Sequence, residues 1–116
     1  MSKASETHQK LIAKQVAANS NMDKKNSALQ QELGRELEWT DFCDTQEYLD
    51  WHKAFMAVEN FEKELIRSTF KKARRAAPQA YISLLNTMKN LGVTLDDMMT
   101  PQYRADLFKW AMELAY

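Results

Sequence analysis

The chain has 116 residues, with sixteen basic and sixteen acidic side chains balancing to a formal net charge of zero. That length suits one domain, and a neutral chain has no global field to steer it onto DNA or an acidic membrane. Only two glycines and two prolines are present, too few turn residues for an antiparallel sheet fold. The expected class is therefore all-α: an irregular bundle of four to five helices around a long central helix at about 45–76.

The N-terminus, Met1-Ser2-Lys3-Ala4-Ser5-Glu6, has no apolar core of a secretory signal. No apolar run approaches the roughly 20 residues needed to span a bilayer. The single cysteine, Cys43, has no internal partner for a disulfide and suits a reducing compartment. These features give the cytoplasm as the expected location, with no membrane association.

Residues 1–26 are polar, with Leu11, Ile12, Val16 and Met22 scattered among Lys, Gln, Asn and Ser. No broad apolar stripe emerges, so this stretch reads as an arm or a loosely docked helix, ahead of a single helical domain over 27–116. Ser27 and Gln30 fit a capping box that starts a helix, and Leu29, Leu33 and Leu37 then stack at four-residue spacing. Gly34 weakens that helix.

Asp44-Thr45-Gln46-Glu47 is a second capping-box pattern, opening the long helix. At 100° per residue, Tyr48, Trp51, Phe55, Val58, Leu65, Ile66, Phe70 and Ala73 fall on one face. Asp50, Lys53, Glu64, Ser68, Lys71 and Arg75 fall opposite. Pro78 ends this helix and opens the next, whose core face is Tyr81, Leu84, Leu85, Met88 and Leu91. Gly92 follows its end, where a left-handed residue is favoured. Thr94 and Asp97 suit a single capped turn. Thr100-Pro101 is a strong start for a last helix carrying Tyr103, Leu107, Trp110, Ala111 and Leu114 on one face.

Catalysis and metal binding find little support. His8 and His52 lie in no metal-ligand spacing, and one cysteine leaves a zinc site short of ligands. Cys43 and His52 are nine residues apart across a helix start, and a free cysteine is ordinarily a small buried apolar group. The two glycines are isolated, so no phosphate-cradling loop exists. No cofactor, catalytic residue or metal ligand is expected. The turn Leu91-Gly92-Val93-Thr94 resembles that of a helix-turn-helix, but the following segment begins Asp96-Asp97 and meets Pro101 within two turns. Such a helix would set acids against phosphates and then break.

Three features point to binding. Glu59 and Glu62 sit near the middle of the apolar face of the long helix, with His52 on the same side. A carboxylate there needs a partner, either internal (Arg35, Arg104 or a backbone amide) or on another molecule. Phe61, Phe108 and Met112 lie off the main stripes, and Trp39 and Phe42 lie in a connection. Large apolar groups left over from one core mark either a second buried face or an interface. Charge is also segregated. Residues 32–64 carry ten acids against three bases, whereas residues 65–90 carry six bases and no acid. Bases at a helix C-terminus complement its dipole, but Arg67, Lys71, Lys72, Arg74 and Arg75 exceed that need.

The expected function is that of a small non-enzymatic regulatory or adaptor protein. It binds a protein partner, or itself as a homodimer, through Glu59, Glu62, His52, Phe61, Phe108 and Met112. The alternative is a helical accessory subunit holding the backbone of RNA or DNA through Arg67, Lys71, Lys72, Arg74 and Arg75.

Overall fold

A computed structural model describes residues 3–114. The fold is all-α, an irregular helical bundle. Its helices are α1 (Lys3–Leu33), α2 (Trp39–Phe42), α3 (Gln46–Ala76), α4 (Pro78–Leu91) and α5 (Pro101–Leu114), with a 3-10 turn at Asp97–Met99 before α5. The chain divides into two compact units: Thr7–Glu59, and the described residues up to Glu6 together with those from Asn60 onward.

α1 departs from the expected start at Ser27. It runs unbroken from Lys3 to Leu33, because no glycine or proline interrupts that stretch and Ala, Gln and Lys favour helix throughout. Ser27 and Gln30 are therefore interior residues rather than a cap. Gly34 terminates the helix rather than weakening it. At φ +67° it takes the left-handed conformation, and its N–H donates to the Gln30 carbonyl at 2.9 Å. Leu37 consequently lies beyond the helix and does not stack on Leu33.

No residue of α1 is buried. Apart from Ser5, its better-covered positions are Ala4, His8, Leu11, Gln15, Ala18, Met22, Asn26 and Leu29. They recur in steps of three and four, the spacing of a coiled-coil seam. The seam is narrow, and five of these eight positions are polar or alanine. In the Thr7–Glu59 unit, Lys14, Ala17, Ala18, Asn21 and Lys24 share a recess with Glu47 and Asp50. Gln15, Val16 and Asn19 share another with Trp51 and Phe55. Rising numbers on α1 meet falling numbers on α3, so the two helices lie antiparallel there.

The cap of α3 is Thr45, one residue after the expected Asp44. Its Oγ1 accepts the Tyr48 N–H at 3.2 Å and donates to the Phe42 carbonyl at 2.9 Å, joining the end of α2 to the start of α3. α3 then continues without a break for 31 residues. Its apolar face is as expected: Val58, Ile66 and Ala73 are buried, and Asp50, Lys53, Glu64, Ser68, Lys71 and Arg75 are exposed.

The core of the second unit gathers Ile66, Leu84, Met88, Met98, Met99, Leu107 and Ala111. Three of these are methionines, whose unbranched chains fill the irregular gap between short helices. α4 ends in a Schellman motif. Gly92 at φ +68° follows it, and the Val93 N–H donates to the Met88 carbonyl at 3.1 Å. Leu85 and Leu91, expected in the core, are 36% and 49% exposed, because only Leu84 and Met88 face inward from this helix. The 3-10 turn is held by a reciprocal box. The Thr94 N–H donates to Asp97 Oδ2 at 2.9 Å, and the Asp97 N–H donates to Thr94 Oγ1 at 3.2 Å.

Candidate functional site

The residues expected to meet a partner are dispersed. His52 and Glu59 belong to the Thr7–Glu59 unit, and Phe61, Glu62, Phe108 and Met112 to the other. Glu62 has an internal partner. Arg104 Nε on α5 donates to Glu62 Oε1 at 3.1 Å, while Arg104 NH1 donates to the Met99 carbonyl at 3.2 Å. The two side chains keep only 17% and 12% exposure. Phe61 and Phe108 meet edge to face at 6.4 Å between ring centres, and Phe108 packs against the core. Met112 and Glu59 are half-buried, and His52 is exposed.

The largest aromatic assembly lies elsewhere, where α2 meets α3. Trp39 packs edge-on against Phe42 at 5.6 Å and Tyr48 at 5.1 Å, and Phe42 lies 5.7 Å from Tyr48. Tyr48 also contacts Trp51 at 5.8 Å and stacks on His52 at 6.1 Å. Trp51 stacks on Phe55 at 5.4 Å. The cluster follows from sequence geometry: Tyr48, Trp51, His52 and Phe55 are three or four apart on α3, and the turn capped by Thr45 folds Trp39 and Phe42 back onto Tyr48. Trp39 nevertheless remains 58% exposed, and Leu49, next to Tyr48 in sequence, is 48% exposed.

Acids interleave with these rings: Glu38-Trp39, Asp41-Phe42, Glu47-Tyr48 and Asp50-Trp51. Asp50 and Asp41 are already engaged: Gln46 Nε2 donates to Asp50 Oδ1 at 2.7 Å, and Asp41 meets Arg35. Arg35 forks onto Asp41, with NH1 at 2.7 Å from Oδ2 and NH2 at 3.0 Å from Oδ1. The Glu38 N–H also donates to Asp41 Oδ2, at 2.8 Å. These bonds, the Arg35 one first, hold the Asp41 carboxyl below the usual carboxylate range.

The sign of this shift gives a pH prediction. A depressed folded-state value stabilises the turn above the unfolded pKa of about 3.9, and that contribution is lost as pH falls through the folded value. Below about pH 4, the turn bearing Trp39 loosens. Asp97, lowered by its bonds from the Thr94 N–H and hydroxyl, loosens the 3-10 turn in the same window. Amide exchange at Glu38 and Thr94, followed by NMR from pH 6 to 3, would report both. Unchanged protection of these two amides at pH 3 would contradict the prediction.

The basic residues separate into two groups. Arg67 lies 3.7 Å from Asp96 and 3.9 Å from Glu64, which offsets its charge. Lys71, Lys72, Arg74 and Arg75 are exposed and make no ion pair with a described residue. They line a recess together with Phe70 and Tyr81, whose ring centres are 5.0 Å apart.

Among the described residues, no three potential ligands gather as a metal site, and no helix is long and apolar enough to cross a membrane. Cys43 is a half-buried free thiol. No protein-family model, no curated protein and no solved structure matches the chain.

Proposed function

We propose that the protein acts by binding, as a small regulatory or adaptor protein. It docks a basic segment of a partner protein on the Trp39–Phe42–Tyr48–Trp51 cluster. The observation that carries this reading is Trp39, a large ring left 58% exposed while two other rings, Phe42 and Tyr48, fix its base. Rigid, partly desolvated tryptophan and tyrosine are the residues that dominate binding energy at protein interfaces. Glu38, Glu47 and Asp50 beside these rings select for lysine or arginine, which also favour the face of an indole.

Glu62 and Phe108, expected at such a surface, engage Arg104 and Phe61 within the chain. A free thiol at Cys43 fits the cytoplasm.

The test is affinity capture from the native host with the parent protein and with Trp39→Ala. Truncating an anchoring tryptophan costs about 2 kcal/mol or more, roughly thirty-fold in affinity. A protein retained by the parent and lost with Trp39→Ala supports the proposal. Equal retention by both would refute it. Retention of nothing but further copies of the chain, with dimers seen in light scattering, would redirect the surface to self-association.

A further inference from the structure

The basic recess is not used by the proposed function, and it carries an inference of its own. We propose that Lys71, Lys72, Arg74, Arg75, Phe70 and Tyr81 form a binding site for single-stranded nucleic acid. The four cations would hold consecutive phosphates, and a base would stack on the aromatic pair.

The charge at this place exceeds its structural need. A helix C-terminus carries about half a negative charge, against four cations at the end of α3. No acid occurs anywhere from residue 65 to residue 95, so no carboxylate in that stretch offsets them. The nearest acids on either side, Glu64 and Asp96, are both taken by Arg67. The geometry adds what a plain cationic face lacks. Pro78 breaks the chain sharply between α3 and α4, and this sets Tyr81 against Phe70 at 5.0 Å in the recess that the bases line. Both rings are half-buried rather than covered. A positive groove with an aromatic platform is the pattern that tracks a single strand and stacks its bases. A duplex hides its bases and presents phosphates alone, so it would use only half of this site.

The discriminating experiment is fluorescence anisotropy with labelled twelve-nucleotide oligo(dT), oligo(U) and a duplex of equal length, over a salt series. A purely electrostatic face prefers the duplex for its higher charge density. The proposal predicts tighter binding to both single strands than to the duplex. Four phosphate contacts give a log–log salt slope of about −2.8, at roughly −0.7 per contact. Arg74→Gln with Arg75→Gln should halve that slope. Tyr81→Leu keeps apolar bulk and removes the stacking face, so it should weaken single-strand binding about ten-fold at unchanged slope. A bromouridine oligomer crosslinked by light to the unaltered protein should map to Phe70 or Tyr81, independently of any variant's folding.

Several results would overturn the proposal: no single-strand binding at low salt, duplex binding as tight as single-strand binding, or crosslinks elsewhere. Self-association at low salt that Arg74→Gln and Arg75→Gln abolish, without oligonucleotide binding, would also overturn it and assign the face to a second copy. Binding to anionic vesicles in place of the oligomers would likewise reject it. Trp39→Ala leaves the predicted oligomer binding unchanged, so the two sites are tested separately.

Discussion

Ile66→Ala is expected to lower unfolding stability by about 2–5 kcal/mol, the range for removing an aliphatic side chain from a packed core. Ile66 is 0% exposed and sits among Leu84, Met88, Met98, Met99, Leu107 and Ala111. Those neighbours come from α4, the 3-10 turn and α5, so the loss is felt by every element of that unit. Methionines can relax into part of the gap, which favours the lower half of the range. Domains of this size hold about 5–15 kcal/mol in total, so the substitution removes a large share. Val16→Ala on α1, where the side chain is 64% exposed, should stay within about 0.5 kcal/mol. Urea unfolding of the two variants checks both figures. Equal midpoints would mean that Ile66 is not at the centre of the core.

The second large effect concerns the Glu62–Arg104 pair. Arg104→Met is expected to destabilise by about 2 kcal/mol, because it withdraws the guanidinium from a carboxylate largely removed from water. It also takes a donor from the Met99 carbonyl. Both groups retain some solvent contact, at 17% and 12% exposure, so the cost falls short of that for a fully buried pair. Glu62→Met alone should also destabilise, by taking the charged acceptor from Arg104 Nε. The double variant should recover most of the loss, since an apolar pair needs no desolvation of charge. Urea unfolding of the four proteins gives the coupling directly. Additive losses in the double variant would show that the two residues do not act as a pair.

Much of the fold was legible because strong local chemistry and tertiary packing agree. Thr100-Pro101, Gly92 and the Thr94–Asp97 box act at the positions their residue types suggest. The wide apolar face of α3 fixes its orientation over 31 residues. α1 was not legible. Its covered seam includes His8, Gln15 and Asn26, so a search for an apolar stripe passes over it. Only the three-and-four spacing betrays it. Ser27 misled for a related reason: a capping-box pattern marks a start only where the preceding residues cannot be helical, and here they can.

The candidate sites divide similarly. Trp39 and Phe42 stood out as large rings in a connection, yet their meeting with Tyr48 depends on a turn closed by Thr45. Three internal partners were conceivable for Glu62. Arg104 fills the role, and Arg35 is engaged with Asp41 instead. Phe108 looked surplus because it lies off the Leu107–Ala111 stripe. Phe61 on α3 covers it, a pairing that depends on how two helices cross rather than on spacing within either one. The basic cluster was visible as charge, but the neutralisation of Arg67 and the Phe70–Tyr81 platform required three dimensions.

The binding role of the aromatic cluster is tested most directly by placing a benzophenone amino acid at position 39 and irradiating the living host. The account predicts one major adduct, joined through a lysine- or arginine-rich peptide of a partner protein. No adduct from position 39, with one forming instead from position 82, where Ile82 is 52% exposed, would contradict it.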